Sequence, residues 1–106
     1  MKAAIYIRTN QGQEMKADKI FVELYRLYTY VLLKGYEMSP NNIYGDMGSA
    51  NTFPRPGVDN LIKDAKSKQF DILLVTSIDR LARNKSISEM IIRPLRQANV
   101  RVRVVN

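Results

Sequence analysis

Hydrophobic and polar residues along the chain switch between two spacings, and each switch marks the boundary of a predicted element. Short apolar runs predict four β-strands, at residues 3–8, 43–44, 71–76 and 100–104. Residues 71–76 (DILLVT) are almost continuously apolar, which is typical of a central parallel strand covered on both faces. Residues 100–104 alternate valine with arginine, which predicts a strand with one face in water.

Between these runs, apolar residues recur every three or four positions, which predicts amphipathic helices. The predicted helices cover residues 13–34, residues 58–68 and a segment from Ser77 to Leu95, in which Pro94 should kink or end the helix. The apolar stripe of the first helix consists of Ala17, Ile20, Phe21, Leu24, Leu27, Tyr28, Val31 and Leu32. Residues 45–54 are polar and contain glycine, so we expect a surface loop there.

The alternation of strands and helices predicts the fold class. It favours an α/β domain in which a mostly parallel sheet of four strands, or slightly more, lies between two layers of helices. With 106 residues, there is room for one domain.

The composition restricts the chemistry that such a domain can perform. The chain has no cysteine and no histidine. A disulfide framework, a Ser-His-Asp triad and metal sites built from cysteine or histidine are therefore excluded. Any catalysis must use hydroxyls, carboxylates, amides, lysine, arginine or tyrosine.

The charge balance points to a polyanionic partner. The net charge is +7, from 17 Lys and Arg against 10 Asp and Glu, which favours nucleic acid or an anionic membrane surface. The longest apolar stretch, near residues 28–33, is too short and too polar to span a bilayer. The first residues lead directly into a strand pattern and not into a signal peptide, so we expect a cytoplasmic location.

Two segments carry the candidate chemistry, because ligands of parallel α/β sheets bind beyond the carboxyl ends of the strands. At the end of the first strand, Arg8 and Asn10 share one side, and Thr9 faces the other. Arg8 can therefore project into the crevice, although a lone arginine at a strand exit is also compatible with an ordinary salt bridge.

The segment after the third strand contains Asp79, Arg80 and Arg83. If Ser77 caps a helix there, Asp79 and Arg83 lie one turn apart, where they could form a simple surface ion pair. Arg80 would then lie near the helix start, a position that attracts anions, and guanidinium groups bind phosphate bidentately. Arg55, between two prolines, could be aimed inward or remain solvated.

Taken in order, these motifs resemble the catalytic domain of the serine site-specific recombinases, the resolvase–invertase family, over essentially the whole chain. Residues 6–10 (YIRTN), followed by Gln13, are similar to the family's YxRxS strand, and residues 46–50 (DMGSA) are similar to its D-x-x-S-G loop. Residues 55–57 (RPG) resemble the R-P-G that follows in the family. Residues 71–75 and then residues 79–84 (DRLARN) are similar to its hydrophobic strand and DRLxRN signature. The last of these is the most specific.

The resemblance implies a mechanism. A serine of the family attacks a DNA phosphodiester, leaves a 5′-phosphoseryl bond and a free 3′-hydroxyl, and the step is reversed after the DNA ends rotate. The resemblance implies that no metal or other cofactor takes part, because arginines stabilise the phosphate charge. It assigns this clamping to Arg8, Arg55, Arg80 and Arg83. It makes Asp79 an orienting or proton-transferring group and Ser49 an accessory loop residue.

The chain departs from the family pattern at two positions. Asn10 stands where the family has its nucleophilic serine, and an amide is no nucleophile toward phosphate. Thr9 should face away from that position, and Ala50 replaces the glycine that follows Ser49. We therefore expect cleavage to be lost or impaired, while the capacity to hold phosphate remains.

The resemblance also implies partners: DNA, as in the recombination and integration of mobile elements, and further copies of the chain, as a dimer or as a tetramer in a synaptic complex. The family's dimerising helix and C-terminal DNA-binding domain would lie beyond residue 106. An alternative interpretation is a non-catalytic DNA-binding or regulatory relative that pairs with an active recombinase. A nucleotide-binding domain fits less well, because neither G-x-G-x-x-G nor G-x-x-x-x-G-K-[ST] occurs.

Overall fold

A computed structural model describes residues 1–9, 17–47 and 55–105. The predictions for Asn10, Gln13, Ser49 and Ala50 lie outside these residues. Four parallel strands form one sheet in the order β2-β1-β3-β4. The strands are β1 (Ala3–Thr9), β2 (Ile43–Met47), β3 (Ile72–Val75) and β4 (Arg101–Val104). The helices are α1 (Ala17–Lys34), α2 (Pro56–Lys66) and α3 (Lys85–Gln97), and single 3₁₀ turns lie at Pro40–Asn42 and Ile78–Arg80.

The sheet separates two hydrophobic cores, because successive side chains of a strand point to opposite faces. On one face, Ile5 and Leu74 pack with Leu27 of α1. On the other face, Leu73 packs with residues of α2 and α3, among them Leu61. The predicted fold class, a parallel four-stranded sheet with helices on both faces, is confirmed.

Helix α1 is apolar on its solvent side as well as on its sheet side. Leu27 and Val31 are buried against the sheet. Three members of the predicted apolar stripe are instead exposed: Phe21, Tyr28 and Leu32. The stripe is therefore buried only in part, because one side of a helix is enough to cover the strands beneath it. Among the described residues, no helix is long and apolar enough to cross a membrane.

Strand β2 is longer than its sequence pattern indicates. Residues 45–47 continue it, and Asp46 pairs with Arg8 and Met47 with Thr9 of β1. The prediction that the loop begins at Gly45 was wrong. Strand pairing uses backbone groups, so the polar side chains of this segment did not prevent it.

The predicted helix from Ser77 to Leu95 is divided in the structure. A 3₁₀ turn occupies Ile78–Arg80, and α3 begins only at Lys85, where the Asn84 side chain accepts hydrogen bonds from the backbone N–H groups of Ser86 and Ile87. Ser77 immediately precedes the 3₁₀ turn but its side chain makes no capping hydrogen bond, so the condition under which Asp79 and Arg83 would lie one helical turn apart is not met. Pro94 does not end α3, which continues to Gln97.

Substitution of two leucines in α1 tests the orientation of this helix. Leu27 is 0% exposed and Leu33 is 80% exposed. We expect Leu27→Ala to lower the free energy of unfolding by about 2–5 kcal/mol, because it leaves a cavity in the core. Leu33→Ala should change this free energy by less than about 0.5 kcal/mol. Urea unfolding followed by circular dichroism measures both, and equal losses would contradict the placement of α1.

Candidate functional site

The side chain of Arg8 is buried at the carboxyl end of β1. Arg8 is 1% exposed; its Nε donates to the carbonyl of Arg80 at 3.1 Å, and a terminal nitrogen donates to the carbonyl of Asp79 at 3.2 Å. Burial lowers the pKa of the Arg8 guanidinium, and the nearby cations Arg80, Arg55 and Arg83 lower it further. Arginine remains charged in proteins despite such shifts. The lowered pKa therefore reflects first the burial of Arg8 and, after that, the other positive charges at this edge of the sheet.

Arg55, immediately before α2, reaches the same backbone turn from the other side. It is 2% exposed, and its guanidinium donates to the carbonyl of Arg80 at 3.2 Å and to the carbonyl of Leu81. It also donates to the Tyr6 hydroxyl at 2.8 Å. Arg8 and Arg55 thus share one acceptor, the carbonyl oxygen of Arg80. The turn at Ile78–Arg80 holds both guanidinium groups in place.

Asp46 connects this pair of arginines to α2. Its carboxylate accepts hydrogen bonds from the backbone N–H groups of Gly57 at 2.7 Å and Val58 at 3.0 Å, and from the Tyr6 hydroxyl at 2.8 Å. An Arg55 nitrogen lies 3.9 Å from the same carboxylate. Asp46 therefore caps the amino end of α2 from a neighbouring strand, where a negative charge is favoured by the helix dipole.

Tyr6 and Gly57 make this connection possible. Burial raises the pKa of the Tyr6 hydroxyl, so it stays protonated and can donate to Asp46 while it accepts from Arg55. At Gly57, a Cβ atom would overlap the carbonyl of Gly45 and lie 2.8 Å from a carboxylate oxygen of Asp46. Only glycine allows the first turn of α2 to approach β2 so closely.

The Arg80 side chain forms an ion pair with a carboxylate of α1. The side chain is 32% exposed, and its Nε donates to the carboxylate of Glu23 at 3.0 Å. The same carboxylate oxygen accepts a hydrogen bond from the Thr76 hydroxyl at 2.6 Å. Sequence reasoning missed Glu23. The available signal was an acidic residue one turn before Leu27 on the sheet-facing side of a helix.

The structure brings three of the predicted arginines, Arg8, Arg55 and Arg80, to one turn at the carboxyl edge of the sheet. Arg83 is exposed, close enough to lower the pKa of Arg8. Asp79 is also exposed, and its carboxylate forms no ion pair with another described residue. The pair with Arg83 that the sequence allowed is absent from the described chain, because the helix that would align the two residues does not form. Asp79 contributes a backbone carbonyl.

The described carboxylates do not gather into a metal site. Within residues 1–9, 17–47 and 55–105, no three acidic side chains come together in a way that could hold a metal ion. Two of the acidic residues near the arginine cluster, Glu23 and Asp46, each form an ion pair with a guanidinium group.

Tyr6 provides a test of this network. We expect Tyr6→Phe to lower the free energy of unfolding by about 1–3 kcal/mol, because Arg55 loses an acceptor and Asp46 a donor in a buried site. Tyr25→Phe, on the exposed side of α1, is the matched control and should change stability little. Thermal and urea unfolding measure both. If the two substitutions cost the same, the Tyr6 hydroxyl has no special role.

Solved structures similar to this chain include two at 25% identity or above. One is the C-terminal catalytic domain of ISC1926 TnpA, an IS607-like serine recombinase, with 25% identity, a TM-score of 0.86, and coverage of 100% of this chain and 68% of that chain. The other is the N-terminal catalytic domain of TP901-1 integrase, with 27% identity, a TM-score of 0.78, and coverage of 98% and 76%. A resolvase family site-specific recombinase from Streptococcus pneumoniae, 19% identical over 99% of this chain and 72% of its own, has the same fold with a TM-score of 0.81.

A search of curated proteins found no match. The family model described as "Resolvase, N terminal domain" matches residues 3–106. That match covers nearly the whole chain, and the solved structures named above have the same overall fold. The resemblance inferred from the arginine motifs is therefore confirmed, and the chain belongs to the resolvase N-terminal domain family.

Proposed function

We propose that this chain serves as the catalytic domain of a site-specific DNA recombinase, in which an arginine cluster holds a DNA phosphate and Asn10 impairs strand cleavage. The observation that carries the proposal is the convergence of Arg8, Arg55 and Arg80 on one backbone turn at the carboxyl edge of the sheet. This edge is where parallel α/β sheets bind their ligands.

The four arginines divide into two groups by exposure. Arg8 and Arg55 are buried and are oriented by backbone carbonyls, which are neutral acceptors, and Arg55 also lies 3.9 Å from the Asp46 carboxylate. They supply a fixed positive field beneath the site, and such preorganised charge stabilises a phosphate that gains negative charge in its transition state. Arg80 and Arg83 reach solvent, and we assign to them the direct contacts with phosphate oxygens.

The chemical step itself depends on position 10. A hydroxyl there would attack phosphorus and expel the 3′-oxygen of the broken strand, whereas the amide of Asn10 cannot be deprotonated near neutral pH. Asp79, exposed beside Arg80, is our candidate for orienting the arginines or transferring a proton. Ser49 is our candidate for an accessory group. For both, the support is the family motif.

A second candidate function is a DNA-binding or regulatory protein that pairs with an active recombinase. One observation favours it: the two buried arginines, Arg8 and Arg55, are both hydrogen-bonded to the backbone turn after β3, although the nucleophile position carries an amide. Such a protein would bind DNA and other recombinase subunits without forming a covalent intermediate. Both candidates require phosphate binding, and they differ in the response to a restored serine.

Restoring the hydroxyl separates the two candidates. The substrate is a supercoiled plasmid that carries the DNA flanking the protein's own gene. On this substrate, we expect Asn10→Ser to form a covalent protein–DNA adduct that survives treatment with detergent. The parent protein should form none, because its amide cannot attack phosphate. Asn10→Ala is the matched control for the change in side-chain size.

The plasmid is labelled internally and digested with nuclease after the reaction, and denaturing gel electrophoresis then detects any label that has become attached to the protein. An adduct formed by the Asn10 protein would contradict the proposed impairment. If Asn10→Ser also forms none while both proteins bind DNA, the regulatory function is favoured.

A further inference from the structure

Glu23 is a carboxylate buried between α1 and the carboxyl edge of the sheet. It is 8% exposed, in a helix whose opposite side faces solvent. A buried carboxylate is costly unless it is hydrogen-bonded and paired with a cation. Thr76, which follows β3, and Arg80, in the 3₁₀ turn, meet these requirements at 2.6 and 3.0 Å. Three separate chain segments thus meet at one carboxylate oxygen.

The ion pair with Glu23 limits which nitrogens of Arg80 can bind a ligand. Its backbone carbonyl orients Arg8 and Arg55, but its own guanidinium is bound to an internal anion through Nε. Carboxylate and phosphate oxygens bind guanidinium in the same geometry, often through two parallel hydrogen bonds. A phosphate can use the Nε edge of Arg80 only when Glu23 has left it.

We propose that Glu23 is an internal competitor of phosphate: its carboxylate occupies the place on Arg80 that a phosphate oxygen would take. Thr76 holds the carboxylate in that place. DNA binding then requires either displacement of Glu23 or use of the remaining nitrogens of Arg80, so the cluster binds phosphate more weakly than its arginines would allow. This inference rests on the proposed function, since it concerns regulation of the same site.

Glu23→Gln is the test, because the amide keeps the size of the side chain and an acceptor for Thr76 and Arg80 while it removes the charge. We expect it to tighten binding to a short DNA duplex of mixed sequence by about three- to tenfold in about 0.1 M salt. The gain should shrink as salt is added, because screening weakens partly exposed charges. Fluorescence anisotropy of labelled duplex measures the affinities.

Glu37→Gln is the matched control. Glu37 is exposed, and its backbone pairs with that of Lys2 in an isolated β-bridge at the amino edge of the sheet. Its substitution therefore changes the net charge equally but far from the arginines. In the same salt we expect less than about a twofold change in affinity. Glu37 pairs with Lys2, and the six residues from Lys2 to Arg8, at about 3.3 Å each, exceed the screening length of about 10 Å. An equal gain from both substitutions would overturn the inference, since net charge alone would then explain it.

Two further variants connect the effect to Arg80 and guard against misfolding. In an Arg80→Gln background, Glu23→Gln should bring no gain, because the competition acts through that guanidinium. Thr76→Val removes the hydroxyl that fixes the carboxylate, and we expect a smaller gain in the same direction. It tests the inference independently if Glu23→Gln does not fold.

The outcomes separate the inference from the proposed function. One outcome is that the parent protein binds duplex DNA in a salt-dependent way while neither Glu23→Gln nor Thr76→Val binds it more tightly. In that case competition by Glu23 is refuted and the proposed function stands. If no variant binds DNA at low salt, the proposed function fails and the inference fails with it.

Discussion

Two buried guanidinium groups bind the same carbonyl oxygen, that of Arg80, and the site is organised around this interaction. A charge removed from water must have its hydrogen bonds satisfied within the protein. Arg8 and Arg55 obtain acceptors from the turn after β3. In a regular helix, the carbonyls of Asp79 and Arg80 would accept from N–H groups four residues later. The 3₁₀ turn and the extended residue Asn84 therefore leave these carbonyls available to the arginines.

Asp46 extends the same constraint to the other half of the sheet. Its carboxylate caps α2, accepts from Tyr6 and lies beside Arg55. The amino end of α2, the end of β2 and the buried arginine are thus fixed relative to one another. Gly57 is required because the backbones of α2 and β2 are nearly in contact. The positions of the arginines are consequently set by the packing of the fold, and not by flexible surface side chains.

The sequence was sufficient to predict the order of elements, the parallel sheet, and the edge where Arg8 and Arg80 lie. These follow from the spacing of apolar residues and from the rule that ligands bind beyond the carboxyl ends of parallel strands. The end of β2 was not predictable from hydrophobicity, because Gly45 and Asp46 pair through backbone groups. The 3₁₀ turn was also missed. The Arg80 carbonyl could accept either a helical N–H group or the side chains of Arg8 and Arg55, and these arginines reach it only in the folded chain. Glu23 escaped notice because its partners are distant in sequence.

Phosphate binding at the arginine cluster is most directly tested by the salt dependence of DNA binding in two exposed charge variants. Arg83 lies at the carboxyl edge of the sheet, whereas Lys66 lies at the opposite end of α2. The measurement is duplex affinity against salt concentration for Arg83→Gln and Lys66→Gln. We expect Arg83→Gln to weaken binding and to reduce the slope of log affinity against log salt by about one, the contribution of one phosphate contact. Lys66→Gln should leave both unchanged, and an equal loss from the two variants would contradict a phosphate site at this edge.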